Sequence, residues 1–147
     1  MARVTNGCLV CHEVSGQVPL PGGLLTHGDL VAALHLPPQA ETVFLGHLMV
    51  IPRRHVADFA GLSAKETAAV GVGISRWSAA LKRLGAMRVY VATIGHGTDP
   101  LYVHLPPRWP GTPEEVPWHS VDDWPGARMG DFAAAEEMVS VIRRSDQ

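Results

Sequence analysis

The hydrophobic positions of this chain predict short strands that flank one long helix. Residues 30–36 (LVAALHL) are apolar almost throughout and are followed by two prolines, which is typical of a short, largely buried strand. Residues 46–51 (GHLMVI) predict a second strand. Because successive side chains of a strand point to opposite faces, His47, Met49 and Ile51 should share one face.

The long helix is predicted from its start signal and its periodicity. Ser63 and Glu66 have the spacing of a capping box, in which each side chain satisfies a free backbone N–H of the other residue. Gly85 supplies a C-terminal stop, so the helix should run to about residue 84. Apolar side chains recur along it at steps of four and three, which gives one buried stripe: Val70, Ile74, Trp77, Leu81 and Leu84.

The remainder of the chain predicts two more strands, a tail and a last helix. Residues 87–94 (MRVYVATI) are apolar on both faces, which predicts a central strand, and residues 100–105 should return beside it after a turn. Residues 106–130 are rich in proline and glycine and carry three of the four tryptophans, which indicates an extended tail pinned by aromatic anchors. Asp131 is expected to cap a helix to about Arg143. This order of elements favours an α+β fold with an antiparallel sheet.

Composition narrows the class of protein. A chain of 147 residues with 46% hydrophobic and 18% charged residues should fold around one core, so we expect a single domain over residues 1–147. Its formal net charge of -2 gives no electrostatic reason to expect nucleic acid or an acidic membrane as a partner. Two cysteines, no signal peptide and no long apolar run together predict a soluble, cytoplasmic protein.

Three stretches together resemble the histidine triad (HIT) superfamily over residues 8–109, which leaves residues 110–147 as the tail. They are CLVC at residues 8–11, GHLMVIPRRH at 46–55 and PLYVHLPPR at 100–108. The resemblance implies a five-stranded antiparallel sheet with one long helix, here followed by a tail helix. It also implies a nucleotide-binding homodimer formed through that helix and the adjacent strand. Gly71 and Gly73 on the helix would allow another subunit to approach closely.

The resemblance also identifies a broken catalytic motif. In this superfamily the middle one of three alternating histidines attacks the α-phosphate of a nucleotide ester or amide. Here the three positions hold Pro100, Tyr102 and His104. A phenol has a reference pKa of about 10, so only ~0.1% of it is ionised near pH 7. We therefore expect Tyr102 to fill the vacated position as a packed aromatic, although Tyr102 and His104 remain the candidate catalytic residues.

Ligand contacts are carried over from the resemblance at five positions. His35 and Leu36 lie near the end of the strand where the family usually has an acidic or amide residue that touches the ribose. His47 matches a site-facing histidine, and His104 keeps the third triad position. Arg108 could bind a phosphate through two hydrogen bonds, or it could be a solvated surface arginine.

A zinc site is the third implication of the resemblance. Cys8, Cys11 and His55 occupy positions that bind zinc in many relatives, and thiolate and imidazole suit Zn²⁺. The usual fourth ligand is the first triad histidine, which is Pro100 here. His96, Asp99 or His12 would complete the site, or it would stay open. A structural zinc is favoured over a catalytic one, and inert thiols or a redox pair remain as alternatives.

Three functions follow as hypotheses. The first is a divergent HIT-like protein that binds a nucleotide or another phosphorylated or adenylated small molecule and has lost the standard hydrolysis. The second is an enzyme with re-purposed chemistry, in which zinc-bound water or the Tyr102/His104 pair acts on a different substrate. The third is a structural homodimer that serves as an interaction module.

Overall fold

A four-stranded antiparallel sheet forms the centre of the computed structural model, which describes residues 8–94 and 100–147, except for the side chain of residue 27. In spatial order its strands are β1 (Thr26–His27), β2 (Val31–His35), β4 (Leu48–Pro52) and β6 (Val103–Leu105). The strands predicted at residues 30–36 and 46–51 are therefore confirmed as β2 and β4. Every residue of β2 and β4 is buried, as their apolar sequences predict.

The segment after the long helix lies at the edge of this sheet. Its first part, β5 (Arg88–Val89), pairs antiparallel with β7 (Pro107–Arg108), and Ala92 then exchanges two backbone hydrogen bonds of 2.8 and 3.1 Å with His104. The prediction that residues 100–105 lie beside residues 87–94 is confirmed. The predicted central position is wrong, because among the described residues this segment pairs on one side only, and its Val91 side chain is 55% exposed. The five-strand count is not reproduced, since the β5–β7 ladder is separate from the four-stranded sheet.

The long helix α2 (Ala64–Arg83) forms as predicted and covers one face of the sheet. Ser63 caps it, and both hydrogen bonds of the capping box are present, from Glu66 N–H to Ser63 Oγ at 3.1 Å and from Ser63 N–H to Glu66 Oε1 at 2.9 Å. Gly85 follows the helix with a φ of 101°, a conformation that glycine adopts without strain. The helix and the sheet bury one large core between them: Val70, Trp77, Leu81, Ala33, Leu48, Val50, Val103 and Leu105.

One of the two helix glycines faces this core. A Cβ added to Gly73 would lie 3.2 Å from Val50 Cγ1, so this glycine allows the helix to approach β4. A Cβ added to Gly71 would meet nothing within 4 Å, and the residue is exposed. The close approach predicted at Gly73 therefore serves the helix and sheet of one chain, and Gly71 alone faces outward.

The segment from residue 106 onward packs against the body of the protein through Trp109, one of the three tryptophans predicted as anchors, and it forms turns and a short 3-10 helix at Trp118–Ser120. Trp109 is only 3% exposed, and its indole N–H donates to the carbonyl of Leu45 at 2.9 Å. Farther along, β8 (Met129–Gly130) pairs with β3 (Val43–Phe44), neither of which was predicted. Asp131 caps the last helix, α3 (Phe132–Ser145), through a 2.9 Å hydrogen bond from Ala134 N–H. Trp118, in contrast, is 45% exposed.

A short helix that the sequence did not predict covers the other face of the sheet. This helix, α1 (Leu9–Ser15), lies in a segment for which the sequence predicted no helix. Cys8 caps it, since its Sγ accepts the Cys11 N–H at 3.1 Å. Val10 and Val14 pack against a second apolar cluster, whose buried members are Leu34, Met49 and Ile51. Among residues 8–94 and 100–147, no helix combines the length and the apolar character that a membrane crossing needs.

Candidate functional site

The candidate site lies on the sheet face that α1 partly covers. Strand register pairs Met49 with His104, and alternation then places His47, Met49, Tyr102 and His104 on the same face. The two histidines touch, with His47 Nε2 2.9 Å from His104 Nδ1. Tyr102 lies edge-on to the ring of His104 at 5.1 Å between centroids, and it also packs against the apolar cluster beneath α1. The prediction that His47 and Met49 share one face of the sheet is confirmed.

Both histidines of this pair are held in the neutral form. Burial, followed by the proximity of His104 and His35, lowers the pKa of His47 to about 3. Burial also lowers the pKa of His104. Because a neutral imidazole has one donor and one acceptor nitrogen, the 2.9 Å contact joins the N–H of one ring to the free nitrogen of the other. Within the part of the chain that the structure describes, one ring N–H of the pair has no partner besides this bond.

His35 lies behind this pair and supports it. Its side chain is fully buried, Nδ1 is 2.7 Å from the carbonyl of Leu36, and Nε2 accepts the N–H of Gly46 at 2.9 Å. These bonds fix the turn that leads into His47, because Leu36 N–H also donates to the His47 carbonyl at 3.0 Å. With both ring nitrogens engaged by the protein, the ring has none free for the ribose contact predicted at this position.

Arg108 is engaged by the tail. Its guanidinium donates to the carbonyl of Val116 at 2.7 Å and to that of Pro113, and a longer contact of 3.4 Å reaches Tyr90 Oη. Within the described ranges these are its hydrogen bonds, and none of them goes to the histidine pair. A phosphate contact from Arg108, as predicted from the sequence, would have to replace bonds that hold the tail.

The predicted metal ligands lie together beside α1. One donor atom each from Cys8, Cys11 and His55 falls within 4.8 Å of the others, and Cys11 Sγ is 3.2 Å from His55 Nδ1. Ligand atoms around a tetrahedral zinc with bonds of about 2.0–2.3 Å lie roughly 3.5–3.8 Å apart. The three groups therefore fit zinc after a closure of about 1 Å. His12 is not part of this cluster, and His96 and Asp99 lie outside the described residues.

Comparison with known proteins identifies the fold. No protein-family model matches the sequence, and no curated protein matches it either. Solved structures do match: a histidine triad protein from Bradyrhizobium japonicum has a TM-score of 0.68 at 21% identity, with 100% of both chains covered. The chain has the histidine triad fold.

Two further HIT structures agree with this assignment. A hypothetical histidine triad nucleotide-binding protein from Sulfolobus tokodaii has a TM-score of 0.70 at 20% identity, covering 95% of this chain and 91% of that one. A zinc-bound histidine triad family protein from Mycobacterium smegmatis has a TM-score of 0.66 at 20% identity, covering 95% and 93%. The similarity supports the histidine triad fold that the three sequence stretches imply, at identities of 20–21%.

Proposed function

We propose that this HIT-fold protein binds a nucleotide or another phosphorylated or adenylated small molecule at the face that carries His47 and His104, and that it has lost the standard hydrolysis of the superfamily. The observation that carries the proposal is the neutral histidine pair next to a tyrosine at the nucleophile position. The pair keeps ligand-binding chemistry on this face, whereas the attacking imidazole is absent.

The binding half of the proposal follows from hydrogen-bonding capacity. If His47 donates to His104, then His104 Nε2–H is the remaining donor; if the bond runs the other way, the remaining donor is His47 Nδ1–H. A phosphate oxygen is a strong acceptor for such a donor, and the bond is charge-assisted. In either tautomer the pair can therefore donate one hydrogen bond to a phosphate group.

The loss of hydrolysis follows from the surroundings of Tyr102. Its ring packs against the apolar cluster of Leu34, Met49 and Ile51 and against the edge of His104. A phenol held by these packing contacts does not supply the imidazole nitrogen that attacks phosphorus in the superfamily. A tyrosine in this position packs against its neighbours, and its ring fills the space that a second triad histidine would occupy.

Thermal denaturation with a panel of nucleoside monophosphates tests the proposal. At 5 mM ligand and a Kd of roughly 0.1 mM, binding stabilises the fold by about 2.3 kcal/mol and raises Tm by several degrees. His104→Gln should abolish the shift, whereas His119→Gln, a change at an exposed histidine of the tail, should preserve it. The absence of any shift at millimolar ligand counts against the proposal. Incubation of the wild type with a nucleoside phosphoramidate should give no turnover and no covalent adduct by mass spectrometry.

We further propose that Cys8, Cys11 and His55 hold a structural zinc ion. The clustering of their donor atoms supports this, as does the position of Cys8 and Cys11 at the start of α1, which the ion would tie to the chain following β4. When bound, zinc supplies cross-linking here. Purified protein should contain about one zinc per chain by elemental analysis. Cys11→Ser should reduce this content at least tenfold, whereas Ser15→Ala, at the exposed end of α1, should leave it intact.

The partner expected from the HIT resemblance is a second copy of the chain. The exposed edge segment supports this proposal, because Met87 and Val91 are each 55% exposed and Ile94 is 79% exposed. Such a row of apolar side chains beside an open strand edge is costly in water and is typical of an interface. Light scattering should give twice the chain mass, and Val91→Lys should return the monomer.

A further inference from the structure

Glu13 of α1 is a buried carboxylate without a partner. The residue is only 5% exposed, yet within residues 8–94 and 100–147 its side chain forms no hydrogen bond and no ion pair. The two other buried polar residues that the structure describes are both engaged, His35 by backbone groups and Glu66 by Arg54 and the helix cap. Because burial of an unpaired charge is costly, Glu13 is a candidate binding group.

The carboxylate of Glu13 remains accessible at its tip. Among the described residues, the indole N–H of Trp124 is the one fully enclosed side-chain polar group that lacks a partner. The oxygens of Glu13 also lack a partner but are not fully enclosed, so each keeps a small accessible surface. A ligand can therefore donate hydrogen bonds to this carboxylate while α1 stays folded.

Glu13 and Cys11 project from opposite flanks of α1. Val10 and Val14 mark the side of the helix that packs against the apolar cluster of the sheet. Successive residues of a helix are rotated by about 100°, so Glu13 and Cys11 each lie about 80° from the centre of this side, in opposite directions. The position of Cys11 therefore also determines which way Glu13 faces.

The two flanks face opposite ends of strand β4. Cys11 Sγ is 3.2 Å from Nδ1 of His55, which follows the C-terminal end of β4. The flank that carries Glu13 consequently faces back along the strand toward its start. His47 immediately precedes β4 there, and Leu36 lies beside it, since the Leu36 N–H donates to the His47 carbonyl. Glu13 is outside the metal cluster and borders the end of the sheet face where His47 lies.

Glu13 and the histidine pair are separate points of contact. The hydrogen bond and the ring contacts of His47 and His104 involve each other and Tyr102, and in the described structure none of them involves Glu13. A ligand that meets the pair with a phosphate and Glu13 with its other end has to be extended. A nucleotide has this form, because its base lies at a distance from its phosphate.

We propose, on the basis of the function proposed above, that Glu13 selects guanine nucleotides by accepting hydrogen bonds from the N1–H and the 2-amino group of the base. A carboxylate offers two acceptor oxygens side by side and no donor. Among the common bases, guanine alone presents two adjacent N–H donors on one edge. Adenine and cytosine place a donor beside an acceptor, and uracil places one donor between two acceptors. Two parallel hydrogen bonds to one carboxylate are strong and geometrically specific.

Isothermal titration calorimetry with GMP, IMP and AMP at pH 7.5 tests the proposal. GMP should bind about tenfold more tightly than IMP, which lacks only the 2-amino group, and at least as far above AMP. Glu13→Gln has the same shape, but its amide N–H₂ opposes one donor of guanine, so GMP should bind about tenfold more weakly while AMP binding does not weaken. The matched control, Glu137→Gln, changes an exposed residue of α3 and should leave all three Kd values unchanged.

The outcomes separate this inference from the proposed function. Equal affinity of the wild type for GMP, IMP and AMP would overturn the role of Glu13 while leaving phosphate binding at the histidine pair intact. This comparison does not depend on the folding of any variant. An unchanged preference for GMP in Glu13→Gln would overturn the inference as well. If none of the three nucleotides binds at millimolar concentration, the inference and the proposed function both fail.

Discussion

Acid should destabilise this protein through His47. The pKa of His47 is lowered from 6.5 to about 3, chiefly by burial, so the folded state holds the neutral ring while the unfolded chain takes up a proton below pH 6.5. The stabilising contribution is therefore present above pH 6.5 and is lost as the pH falls toward 3. Each pH unit in this window costs about 1.36 kcal/mol per proton, which gives about 2.7 kcal/mol between pH 6.5 and 4.5.

Urea denaturation followed by tryptophan fluorescence, at pH 7.5 and 4.5, measures this loss. EDTA should be present at both pH values, so that release of a metal adds nothing to the difference. His47→Gln removes the titrating ring while an amide can still donate to His104, so the loss between the two pH values should shrink by about 2–3 kcal/mol. The matched control is His119→Gln at an exposed site. Parallel curves for the wild type and His47→Gln would refute the assignment of a buried neutral ring.

Two further predictions concern the anchoring of the tail. Gly46 has a φ of 92°, and a Cβ there would lie 2.7 Å from Trp109 Cζ2, so Gly46→Ala should cost more than 2 kcal/mol in urea denaturation. Gly111→Ala is the control, because Gly111 has a φ of 93° but a Cβ there would meet nothing within 4 Å, so this change adds backbone strain without a steric clash. An equal loss of stability in the two variants would contradict the predicted clash at Gly46. Arg108→Ala should release residues 113–116, raising their hydrogen exchange at least tenfold, whereas Arg88→Ala, on the exposed edge, should not.

Local signals in the sequence predicted the parts of the fold that depend on near neighbours. The capping box at Ser63 and Glu66 fixes the start of α2, and Gly85 marks its end. The alternation of side chains along β4 predicts that His47 and Met49 share one face, and this prediction does not require knowing which strands pair. These features follow from backbone geometry over a few residues, so a single sequence is enough to find them.

Features that depend on distant contacts could not be predicted in the same way. Residues 87–94 have the composition of a central strand, but their position at an edge is set by which segment pairs beside them. The helix α1 is short, and its sequence signals are few: the four-residue step between Val10 and Val14, and Gly16 at its C-terminal cap. The bonds of Arg108 to tail carbonyls depend on how the tail folds back, which no local pattern encodes.

The sequence predicted which residues belong to the candidate site, but it predicted only part of their arrangement. From the resemblance, Cys8, Cys11 and His55 were predicted to share a metal site, and in the structure their donor atoms lie within 4.8 Å of one another. It did not reveal that the ring of His35 is saturated by backbone groups. Whether the ring nitrogens of a buried histidine are satisfied internally can be seen only from the three-dimensional contacts.

The most direct test of the account observes the imidazole rings during ligand binding. Two-bond ¹H–¹⁵N NMR spectra of the histidine side chains, recorded while AMP is added at pH 7.5, report each ring nitrogen separately. The account predicts that the ring signals of His47 and His104 move together and saturate, while those of His119 stay in place. Saturable binding of AMP that leaves both His47 and His104 unmoved would contradict it.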